Sequence, residues 1–129
     1  MDKFYLLCLT TMGWLVSCSP EEPQDIPLPT KICVHTTHHG QPIPNAKIWL
    51  KYRADSFPGY DQPKSYYNAS FETDANANGC IASVPTGNHW LVAFGYDSLH
   101  FPHYVYGSLL INISLDGSPV VDTIIYVSE

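Results

Sequence analysis

The sequence predicts an all-β fold class, a seven-strand Greek-key β-sandwich, and three observations carry that prediction. Eleven Pro, eight Gly and nine Tyr among 129 residues suit a turn-rich β chain better than a helical bundle. Apolar residues recur with period two, and no stretch keeps a 3.6-residue period for long. Clusters of Gly, Pro, Asn and Asp separate these runs at short intervals, the pattern of many short strands. With 45 % apolar and only 14 % charged residues the chain is not a disordered one.

Strands are expected near 31–37, 46–53, 65–73, 80–84, 89–96, 104–115 and 120–127. In the second, Ala46, Ile48, Leu50 and Tyr52 share one face, while Lys47, Trp49 and Lys51 point outward. In the fifth, Trp90, Val92 and Phe94 alternate with His89, Leu91 and Ala93. Both sets are apolar enough for a central strand. Trp90 is expected in the core with Ile48 and Leu50. The last strand, 120–127, is β-branched. The separators are equally specific. Gly40 to Asn45 holds two prolines, which remove ladder donors. Asp74 to Gly79 reads as a hairpin loop whose final glycine tolerates positive φ. Pro85 to Asn88 and Asp116 to Pro119 supply the remaining reversals.

Ahead of these strands the chain runs without charge from Phe4 to Pro20. Its apolar part ends at Val16, short of the ~20 residues a membrane-spanning helix needs, and fits the apolar region of a signal peptide. Leu15-Val16-Ser17-Cys18 resembles the lipobox of bacterial lipoproteins, whose cysteine is acylated and becomes the first mature residue. That resemblance implies a signal peptide at 1–17, lipidation of Cys18 and attachment to the outer membrane of a Gram-negative bacterium. Residues 19–30 carry four prolines and three acids, the composition of a solvated tether. Together with Cys18 they form the second segment, 18–30; the sandwich domain is expected over 31–129. An acidic stretch after the lipidated cysteine also resembles the signal that sends some lipoproteins to the cell surface. The formal net charge is −6, with 6 Lys+Arg against 12 Asp+Glu, half of it in the tether. A nucleic-acid or anionic-membrane binder needs clustered positive charge, so both partners are excluded; membrane contact is expected only through Cys18.

Three separated turn motifs carry a further resemblance. Gly40-x-Pro42-Ile43-Pro44-Asn45-Ala46-x-Ile48 comes first, then Thr73-Asp74 to Asn78-Gly79, then Val84-Pro85-x-Gly87-x-x-Trp90-x-Val92-x-x-Gly95-Tyr96. In this order, over roughly 32–96, they resemble the carboxypeptidase regulatory-like domain family, a prealbumin-like (transthyretin-like) sandwich. The resemblance implies an accessory, adhesive or structural module without catalytic residues of its own.

Four cysteines and six histidines are the remaining chemistry. Cys8 leaves with the signal peptide and Cys18 is taken by lipid. An exported protein permits a disulfide between Cys33 and Cys80; two buried thiols acting as small hydrophobes are the alternative. In a seven-strand trace the first, third and fifth connections emerge at one end of the sandwich. His38 and His39 occupy the first, and His100 and His103 the fifth. Converging there, these four imidazoles could hold Zn or Cu. Loop histidines that never meet are the alternative. Asp74-x-Asn76-x-Asn78-Gly79 resembles the first half of a calcium loop, but Pro85 stands where a bidentate Glu is needed. Aromatics beside Gly and Pro, among them Phe57, Tyr60, Phe101 and Tyr104, suit a platform for a sugar ring or a protein partner.

No nucleophile elbow, zinc-protease motif or phosphate loop is present in the sequence. The expected protein is therefore a lipid-anchored, non-enzymatic binding, adhesion or assembly module of the cell envelope, with no cofactor. Its ligand or partner is expected on the rim formed by His100, Phe101, His103 and Tyr104. A histidine-dependent metal-handling lipoprotein is the first alternative and a small hydrolase a weaker one.

Overall fold

The structure is a computed structural model that describes residues 30–129. The expected signal peptide, Cys18 and the rest of the expected tether up to residue 29 lie outside the described residues, while Thr30, expected to end the tether, opens the first strand. The strands are β1 (Thr30–His38), β2 (Gln41–Pro42), β3 (Lys47–Tyr52), β4 (Ala69–Glu72), β5 (Asn78–Val84), β6 (Gly87–Tyr96), β7 (Tyr104–Ile113) and β8 (Val120–Tyr126). The seven long strands sit within a few residues of their expected places. The two-residue β2 is an addition, and a short 3-10 turn at Lys64–Tyr66 replaces the start of the expected third strand.

Two sheets face each other. In one, β1 is flanked by antiparallel β5 and parallel β8, with β2 closing the far end of β1 on the β5 side. The other runs β4-β3-β6-β7, antiparallel throughout. Between them lies a dry core of Ile32 and Val34 from β1, Ile48 and Leu50 from β3, Leu91 from β6 and Ile125 from β8. The period-two pattern thus places one face of each strand against the opposite sheet. The all-β sandwich is the fold.

Trp90 does not join that core. His89, Leu91 and Ala93 face inward and are fully buried, which turns Trp90, Val92 and Phe94 to the outer face of the second sheet. There the segment 53–68 folds back over them. Phe57 packs against Trp90 at 5.3 Å between ring centroids, Tyr60 against Tyr106 at 4.6 Å, and Tyr67 against Trp49 at 5.6 Å. Both faces of β6 are covered, so both carry apolar residues, and alternation alone cannot tell them apart. The deciding residue is His89. It is buried because both ring nitrogens are satisfied: Nδ1 accepts the Arg53 amide at 3.0 Å, and Nε2 donates to the Pro85 carbonyl at 2.6 Å.

A second correction concerns the 74–79 turn. Ala77, not Gly79, takes the left-handed conformation, with φ 64°. Gly79 already belongs to β5 and is needed for closeness instead: a Cβ there would stand 2.7 Å from the Glu72 carbonyl oxygen. Asp74 latches this hairpin, its Oδ1 accepting the amides of Asn76 at 2.8 Å and Asn78 at 3.0 Å. That oxygen is engaged as a turn latch rather than presented to calcium.

Strand directions fix the two ends of the sandwich. Thr30 starts β1 at one end, together with the turns 85–86 and 114–119. The opposite end, the rim, gathers the connections after β1, β4 and β6, and the segment after β8.

Candidate functional site

The rim is built around Asp97. β6 ends one residue before it, and the loop 97–103 closes on itself through two bonds: the Asp97 amide donates to the His103 carbonyl at 2.7 Å, and His103 Nδ1 donates to the Asp97 carbonyl at 2.8 Å. The Asp97 carboxylate is only 3 % exposed and accepts three donors. His38 Nδ1 reaches Oδ2 at 2.7 Å, His100 Nδ1 reaches the same oxygen at 2.8 Å, and the Leu99 amide reaches Oδ1 at 2.9 Å. These donors hold the carboxyl well below the usual carboxylate range, the His38 bond contributing most and burial opposing it. These bonds favour the ionised form of Asp97, and each imidazole presents its Nδ1–H to it.

His38 arrives here because β1 ends in a two-residue turn. His39 and Gly40 both have positive φ, 48° and 75°, the primed geometry that suits the twist of a hairpin. The turn stacks the His38 and His39 rings with centroids 4.1 Å apart and leaves His100 5.3 Å from His39. From the other side comes Glu129. Val127 donates to the Thr37 carbonyl and Ser128 exchanges two backbone bonds with Tyr106, so the segment after β8 is fixed across both sheets. Gly107 makes this crossing feasible, since a Cβ there would collide with the Tyr126 carbonyl. Glu129 Oε1 consequently lies 3.6 Å from His39 Nε2 and 3.9 Å from His38 Nε2.

The four histidines expected to converge do not form one cluster. The structure gathers His38, Asp97 and His100 into one group and His38, His39 and Glu129 into another. His103 lies in neither, because its Nδ1 is engaged by the Asp97 backbone. Both carboxylates were missed in the sequence. The signal for Asp97 was its spacing of three and six residues from His100 and His103 on one short loop. Glu129 carried no local signal.

The four rim residues expected to face a partner differ in exposure. Phe101 is 86 % exposed and Tyr104 76 %, whereas His100 and His103 are half-buried ties within the loop. Tyr96 and Leu99 are exposed beside them. Tyr96 packs 5.2 Å from His103 and 5.5 Å from Tyr104 between centroids, and Phe101 sits 5.8 Å from His103, giving a continuous aromatic surface. Beside it opens a groove of about 500 Å³, where Gln41, Asn45 and Ser98 stand among the apolar Pro42, Ile43 and Leu99, and Tyr96 is the aromatic that lines it. Phe57 and Tyr60 belong instead to the cover of the second sheet.

No hydrogen-bond partner reaches His38 Nε2 among the described residues. Elsewhere, Cys33 and Cys80 stand directly opposite on β1 and β5 and are joined as a disulfide, with Cα atoms 4.1 Å apart. They lie on the outer face, not in the core. None of the described helices is long and apolar enough to cross a membrane.

No protein-family model matches the chain, and no curated protein matches it in sequence. Among solved structures it is similar to a "putative carbohydrate binding protein" from Pseudomonas aeruginosa, with 14 % identity and a TM-score of 0.50 over 76 % of this chain and 88 % of that one. It also aligns with a DUF3823 family protein from Parabacteroides merdae at 12 % identity and a TM-score of 0.43, covering 78 % of this chain and 46 % of that one. At such identities the first likeness speaks for the β fold alone.

Proposed function

We propose that the protein is a lipid-anchored, non-enzymatic binding module of the cell envelope, and that its rim takes a glycan. The observation that carries this reading is the exposed aromatic surface of Tyr96, Phe101 and Tyr104, on and flanking the loop tied down by Asp97, beside a groove that offers Gln41, Asn45 and Ser98 among apolar neighbours. Rings and amides on rigid loops suit the alternating apolar and hydroxyl faces of a sugar. The description of the Pseudomonas aeruginosa neighbour as a carbohydrate binder supports the choice of ligand class. The three turn motifs in Gly40–Tyr96 support placing the scaffold with the carboxypeptidase regulatory-like domains, and Leu15 to Cys18 supports the outer-membrane anchor.

The test is a glycan array probed with the full chain, followed by Tyr96→Ala, Phe101→Ala and Tyr104→Ala combined. All three side chains are exposed, so the fold should survive, as circular dichroism would verify. Loss of the retained glycans is expected. Unchanged binding would remove the rim and leave a sheet edge, where backbone ladders recruit an extended partner, as the better site.

A further inference from the structure

We propose that His38 Nε2, His39 Nε2 and Glu129 Oε1 form a site for one divalent transition-metal ion of the zinc type, with Asp97 orienting His38 from behind. Its three donor residues lie outside the groove that Tyr96 bounds, and Asp97 alone belongs to both, lining the groove and bonding His38. It also differs from the four-histidine set the sequence suggested, exchanging His100 and His103 for a carboxylate.

The distances between donors are the first argument. At 3.6 Å and 3.9 Å, Glu129 is too far from the two imidazoles for hydrogen bonds, which end near ~3.2 Å. Yet the three ligand atoms all lie within 4.8 Å of one another. Zinc bonds of roughly 2.0–2.2 Å in a tetrahedron hold neighbouring donors about 3.3–3.6 Å apart, so a small inward movement would close the set on one ion.

The second argument is independent and concerns His38 alone. Its side chain is 2 % exposed, and Nε2 is buried with no hydrogen-bond partner among the described residues. Buried polar atoms are nearly always satisfied, and one left bare marks a place where something binds. The Nδ1 side is committed to Asp97 at 2.7 Å, which leaves Nε2, 3.9 Å from Glu129 Oε1, as the nitrogen available to an ion. A carboxylate behind a histidine is the arrangement that fixes tautomer and ring direction in metal sites.

The alternative trio of His38, Asp97 and His100 lacks this character. Its Nδ1 atoms already donate to one Asp97 oxygen at 2.7 Å and 2.8 Å, so an ion there would break both bonds. Two imidazoles and one carboxylate select zinc, copper or nickel over magnesium or calcium. His39 is 60 % exposed and Glu129 39 %, which leaves a coordination position open to water. The ion would link the turn after β1 to the segment after β8, at the same end as the loop that Asp97 holds.

Calorimetric titration of the full chain in detergent with Zn²⁺, and Co²⁺ absorption to read the ligand set, would test this. One ion per chain is expected. His39→Ala and Glu129→Gln should each weaken Zn²⁺ binding tenfold or more, with the metal-free unfolding temperature unchanged, because both side chains are at the surface. Asp97→Asn should weaken it by about 10- to 100-fold. His35→Ala, on the outer face of β1, should bind as wild type. Absence of saturable binding would overturn the proposal, as would a loss smaller than tenfold in both surface variants, or an equal loss in His35→Ala.

Discussion

The Nδ1 of His38 lies 2.7 Å from Oδ2 of Asp97, a residue 59 positions later, and both side chains are buried. This bond joins the end of β1 in one sheet to the end of β6 in the other. It explains why the loop carrying the exposed aromatics keeps a fixed shape. Its neighbours His100 and Leu99 close on the same carboxylate and His103 on the Asp97 backbone carbonyl, so a single residue sets the geometry of the rim.

Asp97→Asn should therefore lower the denaturation midpoint and speed hydrogen exchange at the Leu99 amide. The carboxyl is depressed in the folded state, chiefly by the His38 hydrogen bond. Its contribution is present above the unfolded value near ~3.9 and is lost as pH falls toward the folded one. Urea denaturation of metal-free wild type and Asp97→Asn would show the stability gap shrinking below about pH 4. A gap that stayed constant down to pH 2 would sink the assignment.

Truncations on β6 should separate its two faces. Leu91 is fully buried between the sheets, and Leu91→Ala is expected to cost about 2–5 kcal/mol. Trp90 is half-buried under Phe57, so Trp90→Ala should cost less, about 1–2 kcal/mol, and should expose the 53–68 segment to proteases. A larger loss for Trp90→Ala would return that ring to the main core.

Most of the fold was legible because most strands have a more exposed face and a buried one, and prolines and glycines mark the turns between. Trp90 was misplaced for the same reason: β6 has no wet face, and only the buried, doubly bonded His89 tells its sides apart. The grouping of His38, His39 and His100 at one end follows from counting connections, since antiparallel neighbours alternate ends. The carboxylates did not follow. Asp97 acts through a partner 59 residues away, and Glu129 is carried to the imidazoles by backbone bonds of Val127 and Ser128 that side-chain patterns do not encode.

The disulfide should matter to stability more than to shape. Cys33 and Cys80 are separated by 47 residues, and a loop of that size confines the unfolded chain by roughly 4 kcal/mol in the loop-entropy treatment. Paired replacement, Cys33→Ser with Cys80→Ser, should cost about 2–4 kcal/mol while leaving the β circular dichroism intact. Equal midpoints for oxidised and reduced wild type would contradict this.

The anchor and the rim make one joint prediction. Thr30 opens β1 at the end opposite His38, and a nine-residue strand spans roughly 26 Å at its usual rise. A chain held through Cys18 on the Thr30 side would thus present Phe101 and Tyr104 away from the bilayer, where a large glycan has room to approach. Cys18→Ala should abolish palmitate labelling and leave the chain soluble or unprocessed. In cells, the Phe101→Cys variant should react with a water-soluble thiol probe far faster than the Ser118→Cys variant, whose thiol lies in the connection at the Thr30 end. Equal reactivity at both ends would show that the sandwich does not stand rim-outward, and palmitate labelling of Cys18→Ala equal to wild type would remove the anchor itself.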